Sequence, residues 1–387
     1  MKTRKIKAGL IGGGEGSFIG AIHYRAANLD GYFALVCGAF SSDPQKSKKA
    51  APDYHVDVSR AYGSWIEMFE KEAALPESER MEAVIITTPN HLHYPQAMMA
   101  LEKGFHVICD KPVTISLEEA LKLEEKVKQT GLIFALTHTY AGYPMVMEAR
   151  DIATSGRLGK LRKLVVEYPQ GWLSAPIENE GQKQAAWRTD PKFSGPGGCL
   201  GDIGIHASNL AEYITGLEIE EVCADITPFV EGRLLDDDVS VLIRYKGGAK
   251  GILFASQISA GEENDLKIRI YGEQGGIEWS HAVPNTLLLK MLSKPVQILR
   301  AGGNYQNLSP KTLWNCRTPG GHPEGFIEAF ANIYRNAAYD IFHHRDKDFN
   351  KPPFIDYPSI AEGVGGMRFI EKVIESSGSN KKWVKFN

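Results

Sequence analysis

From residue 5 to about residue 137, short apolar runs alternate with amphipathic stretches of helical period. The runs predict strands at 5–11, 33–40, 83–87, 106–109 and 133–137, and the stretches between them predict helices at 18–29, 44–51, 64–74, 94–103 and 117–130. Near-continuous apolar strands are those buried on both faces, and their alternation with helices implies βαβ units and a doubly wound parallel sheet. After Tyr143 the pattern changes. A helix at 146–154 and a strand at 162–168 lead into an irregular segment, 170–198, followed by a helix at 202–214 that Gly216 ends. Strands then follow one another at 222–229, 239–244, 251–258, 266–271, 275–279, 287–292 and 296–299, with turn signals such as Lys246-Gly247-Gly248 and Glu273-Gln274-Gly275 between them. This predicts an open, largely antiparallel sheet with helices on one face. Two helices close the pattern at 323–341 and 359–376, the second expected to return to the first domain. A bare sheet face exposes apolar area of the kind that marks interfaces, so a homodimer or homotetramer is expected.

The first predicted strand runs into Gly12-Gly13-Gly14-Glu15-Gly16-Ser17, and a helix follows. Glycines at such a turn let the backbone approach a ligand closely, and the helix start offers free N–H groups and a positive dipole end to a pyrophosphate. Gly12 and Gly14 match the first two positions of the dinucleotide fingerprint, and Ser17 stands at the third, small enough for close packing. The chain is therefore expected to hold an N-terminal Rossmann domain, 1–137, that binds a dinucleotide, and a domain at 138–387 for substrate and oligomerisation. Ligands of such sheets lie beyond the carboxyl ends of the strands. Ser41, Thr88-Pro89-Asn90, Asp110-Lys111-Pro112 and His138 all fall at such ends. Beyond the second strand, Ser41 takes the place nearest the adenosine ribose and Asp43 comes slightly later, which favours NAD, although Lys46, Lys48 and Lys49 leave NADP open.

Three groups could carry chemistry. Lys111 could hydrogen-bond a substrate hydroxyl and stabilise a developing alkoxide. Asp202 and His206, four apart in a helix, share a face, and histidine is the usual base near neutral pH. The plainer alternative is an Asp202 that caps the helix and a satisfied, half-buried His206, and Asp202 could serve both as cap and in the site. His322, in a glycine-proline loop, could contact a polar substrate.

Composition narrows the reading. A net charge of −3 over 387 residues, with no basic run, speaks against nucleic acid as a partner. Five widely spaced cysteines form no C-x-x-C pair, so reduced thiols in a cytoplasmic protein are expected and no zinc or other metal site. The basic start breaks into glycines too soon for a signal peptide, and no run is long enough to span a membrane.

Gly12-Gly13-Gly14 through His23, Thr88-Pro89-Asn90-His91-Leu92-His93, Asp110-Lys111-Pro112, Trp187-Arg188 and Gly201-Asp202-Ile203-Gly204-Ile205-His206, in this order, make nearly the whole chain resemble the Gfo/Idh/MocA oxidoreductases. Phe18-Ile19-Gly20 and Gly321-His322-Pro323-Glu324-Gly325 are similar to the branch of sugar and inositol dehydrogenases, levoglucosan and scyllo-inositol dehydrogenases among them. Asp110 stands where the family usually has glutamate. The resemblance implies an NAD(P)-dependent dehydrogenase of a cyclic sugar or polyol, with Lys111, Asp202 and His206 as catalytic group. It implies cofactor contacts from Phe18, Ile19, Thr88, Pro89, Asn90, His93, Asp110 and Lys111, with Trp187 and Arg188 near the nicotinamide. Gln170, Trp172 and His322 would contact substrate. Some members cleave glycosides through transiently used NAD and others are non-enzymatic sensors, so both stand as alternatives.

Overall fold

The computed structural model describes residues 4–303 and 307–387. The chain divides into two units, one made of Met1–Thr114, Glu118–Thr139 and Phe326–Val364, the other of Ile115–Leu117, Tyr140–Gly325 and Gly365–Asn387.

In the first unit β1 (Ile6–Ile11), α1 (Phe18–Leu29), β2 (Phe33–Ala39), α2 (Pro44–Ala50), α3 (Trp65–Ala74), β3 (Ala83–Ile86), α4 (His93–Glu102), β4 (His106–Cys109), α5 (Leu117–Thr130) and β5 (Phe134–Leu136) alternate as their patterning predicts. The five strands form a parallel sheet in the order β2-β1-β3-β4-β5. Every residue of β3, β4 and β5 is buried, the signature of a sheet covered on both faces. The strand order reverses beside β1, so the glycine turn after β1 opens at the switch point. The later helix Phe326–Arg345 completes this unit. Its Phe330, Tyr334, Ala337 and Ile341 join Ile22, Ala26 and Phe33 in one apolar core.

The second unit begins with α6 (Pro144–Thr154) and β6 (Leu161–Pro169). The segment expected to be irregular contains two short helices, α7 (Lys183–Arg188) and α8 (Pro191–Ser194), capped by Gln182 and Asp190. A π-helical turn, Leu200–Gly204, leads into α9 (Ile205–Thr215). β7 (Ile219–Thr227), β8 (Asp238–Tyr245), β9 (Lys250–Ser256), β10 (Lys267–Gly272), β11 (Gly275–Ser280), β12 (Thr286–Met291), β13 (Gln297–Arg300) and, after α10 (Pro310–Trp314), β14 (Trp383–Lys385) join β6 in a nine-stranded sheet. The order is β13-β12-β11-β10-β6-β9-β8-β7-β14, antiparallel throughout except for β6 beside β9. Alternate residues such as Val166, Val241, Leu253, Ile268 and Leu289 are buried on the face that α6 and α9 cover. The opposite face carries Leu242 against Ile252, and the register continues through Tyr271 to Ile298. Those four are between 38% and 51% exposed, so the sheet has one open face.

Candidate active site

In the first unit the glycine turn is built by close approach. Gly12 has φ +90°, and a Cβ there would lie 2.7 Å from Thr87 Oγ1. The third small position works differently from the expectation for Ser17. Ser17 caps α1 by accepting from the Gly20 N–H, and Gly20 is the residue that packs against the turn, with 2.3 Å from its would-be Cβ to Gly13 Cα. No acidic residue occupies the first turn of α1, so its dipole end stays positive. Phe18 stands 65% exposed at the helix start, and Ile19 packs half-buried against the core. Tyr54, unflagged in the sequence, stacks on Phe40 at 4.9 Å and donates its hydroxyl proton to the Gly13 carbonyl. Loss of one neutral hydrogen bond is worth about 1 kcal/mol, so Tyr54→Phe should lower stability by about that amount in urea unfolding, with no change in secondary structure.

The strand ends behind the turn are fixed in turn. Ser41 Oγ accepts the Asp43 N–H, and Asp43 Oδ1 accepts from Gln45 and Lys46 at the start of α2. Thr88 donates to Gln96 Oε1 at 2.8 Å, and Pro89 leads into the buried Asn90. His93 is buried with its ring nitrogens 2.7 Å from the Pro112 carbonyl and 2.8 Å from that of Thr88. It ties the loop after β3 to the loop after β4, and burial lowers its pKa despite those carbonyls. Asp110 accepts from Thr137 Oγ1 at 2.8 Å and lies 3.8 Å from His23 Nε2, while His23 Nδ1 meets Tyr334 Oη at 2.7 Å. Burial alone would raise the Asp110 carboxyl, but His23, then Lys111 and His93, outweigh it and hold it well below the usual carboxylate range. Burial and then the Lys111 charge pull His138 down to about 3, so this ring is neutral. A shortened carboxylate at 110 thus keeps its charge beside Lys111.

In the second unit Asp202 does not cap a helix. The chain is already turning at Leu200, where Gly201 and Gly204 permit the wide π-helical turn, and no side chain caps that turn or α9. π-turns recur at functional sites. The Asp202 carboxylate is left to accept from Gln257 Nε2 at 2.8 Å and to pair with Arg188 Nε at 3.4 Å. Arg188 in turn lies over the Trp187 ring, 4.2 Å from its centroid. His206, 9% exposed, meets the Tyr140 ring in a T-shaped contact, centroids 5.0 Å apart. Asp202 also bears on Tyr140: burial first, and then this carboxylate, raise its hydroxyl pKa. The Asp202–His206 pair therefore converges on one phenol.

That phenol is the donor end of one of two hydrogen-bond arms that converge on Asn264 Oδ1. Trp172 Nε1, which can only donate, gives its proton to Gln170 Oε1 at 3.1 Å. Gln170 must then offer Nε2 to Asn264 Oδ1, 2.7 Å away. The same oxygen takes the Tyr168 hydroxyl proton at 2.7 Å, so the Tyr168 oxygen accepts from Tyr140. His281, whose pKa burial lowers, contacts the Asn264 carbonyl through Nδ1 and Tyr143 Oη through Nε2. Gln170 and Trp172 were legible in the sequence. Tyr140, Tyr168, Asn264, Gln257 and His281 were not, and only the position of Tyr140, just past the last strand of the parallel sheet, hinted at it. His322 is exposed on its loop, with Nδ1 3.2 Å from its own Pro319 carbonyl. Among the described residues no three His, Cys, Asp or Glu side chains gather as a metal would need, and no helix is long and apolar enough to cross a membrane.

Family models match both units. Residues 6–138 match "Oxidoreductase family, NAD-binding Rossmann fold", and residues 146–278 match "GFO/IDH/MocA C-terminal domain". The chain belongs to the Gfo/Idh/MocA oxidoreductases. It is 33% identical to the uncharacterized oxidoreductase YfiI of Bacillus subtilis over 99% of this chain and 98% of the relative. It is 26% identical to the levoglucosan dehydrogenase of Pseudarthrobacter phenanthrenivorans over 72% of this chain and 74% of that protein. Among solved structures, the inositol dehydrogenase homologue of Azotobacter vinelandii complexed with NADH and myo-inositol aligns with a TM-score of 0.92 and 34% identity, covering 99% of this chain and 98% of that one. This Gfo/Idh/MocA oxidoreductase thus carries an NAD-binding Rossmann domain, as its glycine turn implied.

Proposed function

We propose that this enzyme reversibly oxidises a secondary alcohol of a cyclic sugar or polyol with NAD+. The observation that carries the reading is the second unit's constellation. A nearly buried histidine and a doubly held carboxylate converge beside an ordered series of indole, amide and phenol groups, the kind of lining that a polyhydroxylated ring requires. The relatives point the same way, since one is a levoglucosan dehydrogenase and another is complexed with NADH and myo-inositol.

The glycine turn, with Gly12, Gly14 and the Ser17-capped start of α1, would hold the pyrophosphate. Ser41 would face the adenosine ribose, with Thr88, Pro89, Asn90 and Asp110 at the neighbouring strand ends. Bound NAD+ supplies the hydride acceptor. His206 takes the hydroxyl proton as the alcohol carbon is oxidised. Lys111 stabilises the developing alkoxide, its charge balanced by Asp110. Asp202 orients His206 or a neighbouring hydroxyl, and Gln170 and Trp172 contact the ring.

The test is a panel of inositols, pyranoses and anhydrosugars incubated with NAD+, read by the absorbance of reduced nicotinamide. The proposal expects NADH to accumulate with at least one of them. Release of sugar from a glycoside without NADH would replace the reading with an NAD-dependent glycosidase, and NAD+ binding without turnover of any of them with a sensor.

The open sheet face bearing Leu242, Ile252, Tyr271 and Ile298 is assigned to a homodimer or homotetramer, and the five thiols to a reducing cytoplasm. Light scattering at assay concentration should return at least twice the chain mass, and a monomer would refute the assembly.

A further inference from the structure

Asp236 lies just before β8 and is 7% exposed. Its two carboxylate oxygens accept different backbone N–H groups, Gly198 at 2.8 Å and Leu200 at 2.7 Å. Its own carbonyl accepts the Cys199 N–H between them, also at 2.8 Å. Three successive amides are therefore held by one residue. The fit leaves no slack: a Cβ on Gly198 would lie 2.2 Å from the Asp236 carbonyl oxygen. Gly198 in turn accepts the Asp202 N–H at 2.9 Å, and the π-helical turn starts at Leu200. A second tether comes from the adjoining strand end, where Gln257 bonds Asp237 through its backbone N–H and the Asp202 carboxylate through its side chain.

We infer that Asp236 is a positioning residue, a clamp on the backbone from which Asp202 and His206 rise. The inference rests on the catalytic roles proposed above for those two residues. A buried carboxylate stays charged only while hydrogen bonds compensate its lost hydration. Burial pushes the Asp236 carboxyl up to about 6, the two N–H groups holding it from going further. Asp237 is the charged neighbour that adds to this rise; Asp236, Asp202, Asp238 and Asp237 all bear on the Cys199 thiol of the clamped segment, and Arg233 pairs with Asp237. Arg233 is engaged with Asp237 and Glu178, burial raises the Cys199 thiol, and burial also raises the Asp238 carboxyl, so Asp236 is one of two neighbouring carboxyls displaced upward. Protonation relieves the cost of burying that charge, so the clamped backbone takes up a proton that the opened segment would not, and the clamp is firmer in mild acid.

Amide hydrogen exchange on the intact enzyme reads the clamp directly. In the wild type, protection of the Gly198 and Leu200 amides, corrected for intrinsic exchange, should rise from about pH 7.5 to about pH 5, because the carboxyl binds its proton more readily in the clamp than when the segment opens. In Asp236→Asn one N–H must face the new amide nitrogen, so protection should be low at both pH values. The same variant should lose about 10–100-fold in kcat, while its Kd for NAD+ stays within about twofold of the wild type. Wild-type protection that falls or stays constant as the pH is lowered, or a variant with wild-type kcat, overturns the clamp. The wild-type exchange decides even if the variant does not fold. Full turnover in His206→Ala would instead sink the catalytic reading, and the exchange arm would then judge the clamp alone.

Discussion

Replacing His206 by alanine should lower turnover by about 10²–10⁴-fold, the usual cost of removing a positioned acid–base group, while NAD+ still binds. The expectation follows from the setting of the ring. His206 is nearly buried, in T-shaped contact with Tyr140, and lies one turn beyond an Asp202 held by Gln257 and Arg188. So few degrees of freedom suit a group that transfers a proton better than one that merely fills space. Lys111→Ala should lose turnover on the same scale, because an alkoxide without a cation loses its electrostatic partner. Single-turnover kinetics with NAD+ separate chemistry from binding. A loss confined to KM would mean that these groups only bind, and near-normal turnover in both variants would refute their assignment.

Gly20→Ala should destabilise the protein and weaken NAD+ binding, although alanine is the better helix former. Inside a helix the exchange ordinarily gains about 1 kcal/mol. Here the new methyl would sit 2.3 Å from Gly13 Cα and 3.1 Å from Gly13 N. Both are backbone atoms of a turn that the Tyr54 hydroxyl also fixes, so neither can swing aside. Overpacking of this kind costs about 1–3 kcal/mol or more and exceeds the propensity gain. The relief available is to push α1 from the glycine turn, which separates the helix start from the pyrophosphate it would serve. A loss of about 1–2 kcal/mol in urea unfolding and a tenfold or greater rise in the Kd for NAD+ are expected. Gly365→Ala is the control, since a Cβ there meets nothing within 4 Å in the helix Ile360–Gly378. It should hold or gain stability. If Gly20→Ala behaves like Gly365→Ala, close packing at the turn is not what the glycine provides.

The parallel sheet was legible because burial on both faces leaves unbroken apolar runs, as in Ala83–Ile86 and His106–Cys109. The second sheet was legible strand by strand, but the parallel placement of β6 beside β9 was not, since pairing between distant strands leaves no local signal. Asp202 and His206 could be picked out by spacing. The cap role open to Asp202 is not taken up, since the π-helical turn already starts at Leu200, where Asp236 accepts the Gly198 and Leu200 N–H groups. Ser17 shows the same effect in the first unit. The fingerprint places the packing residue at 17, yet the chain uses Gly20 for contact and Ser17 for capping. Asn264 and Tyr168 lay beyond sequence reading for a different reason: hydrogen-bond arms that converge on Asn264 exist only once β6 and the segment before β10 are side by side.

The central claim is a hydride transfer from a ring carbinol carbon to NAD+. An inositol or pyranose that turns over, deuterated at its ring carbinol carbons, tests it most directly by mass spectrometry of the nicotinamide. One deuterium in the reduced cofactor is expected for each molecule of ketone formed. Product formed with no deuterium in the cofactor, or with no net NADH, would contradict it.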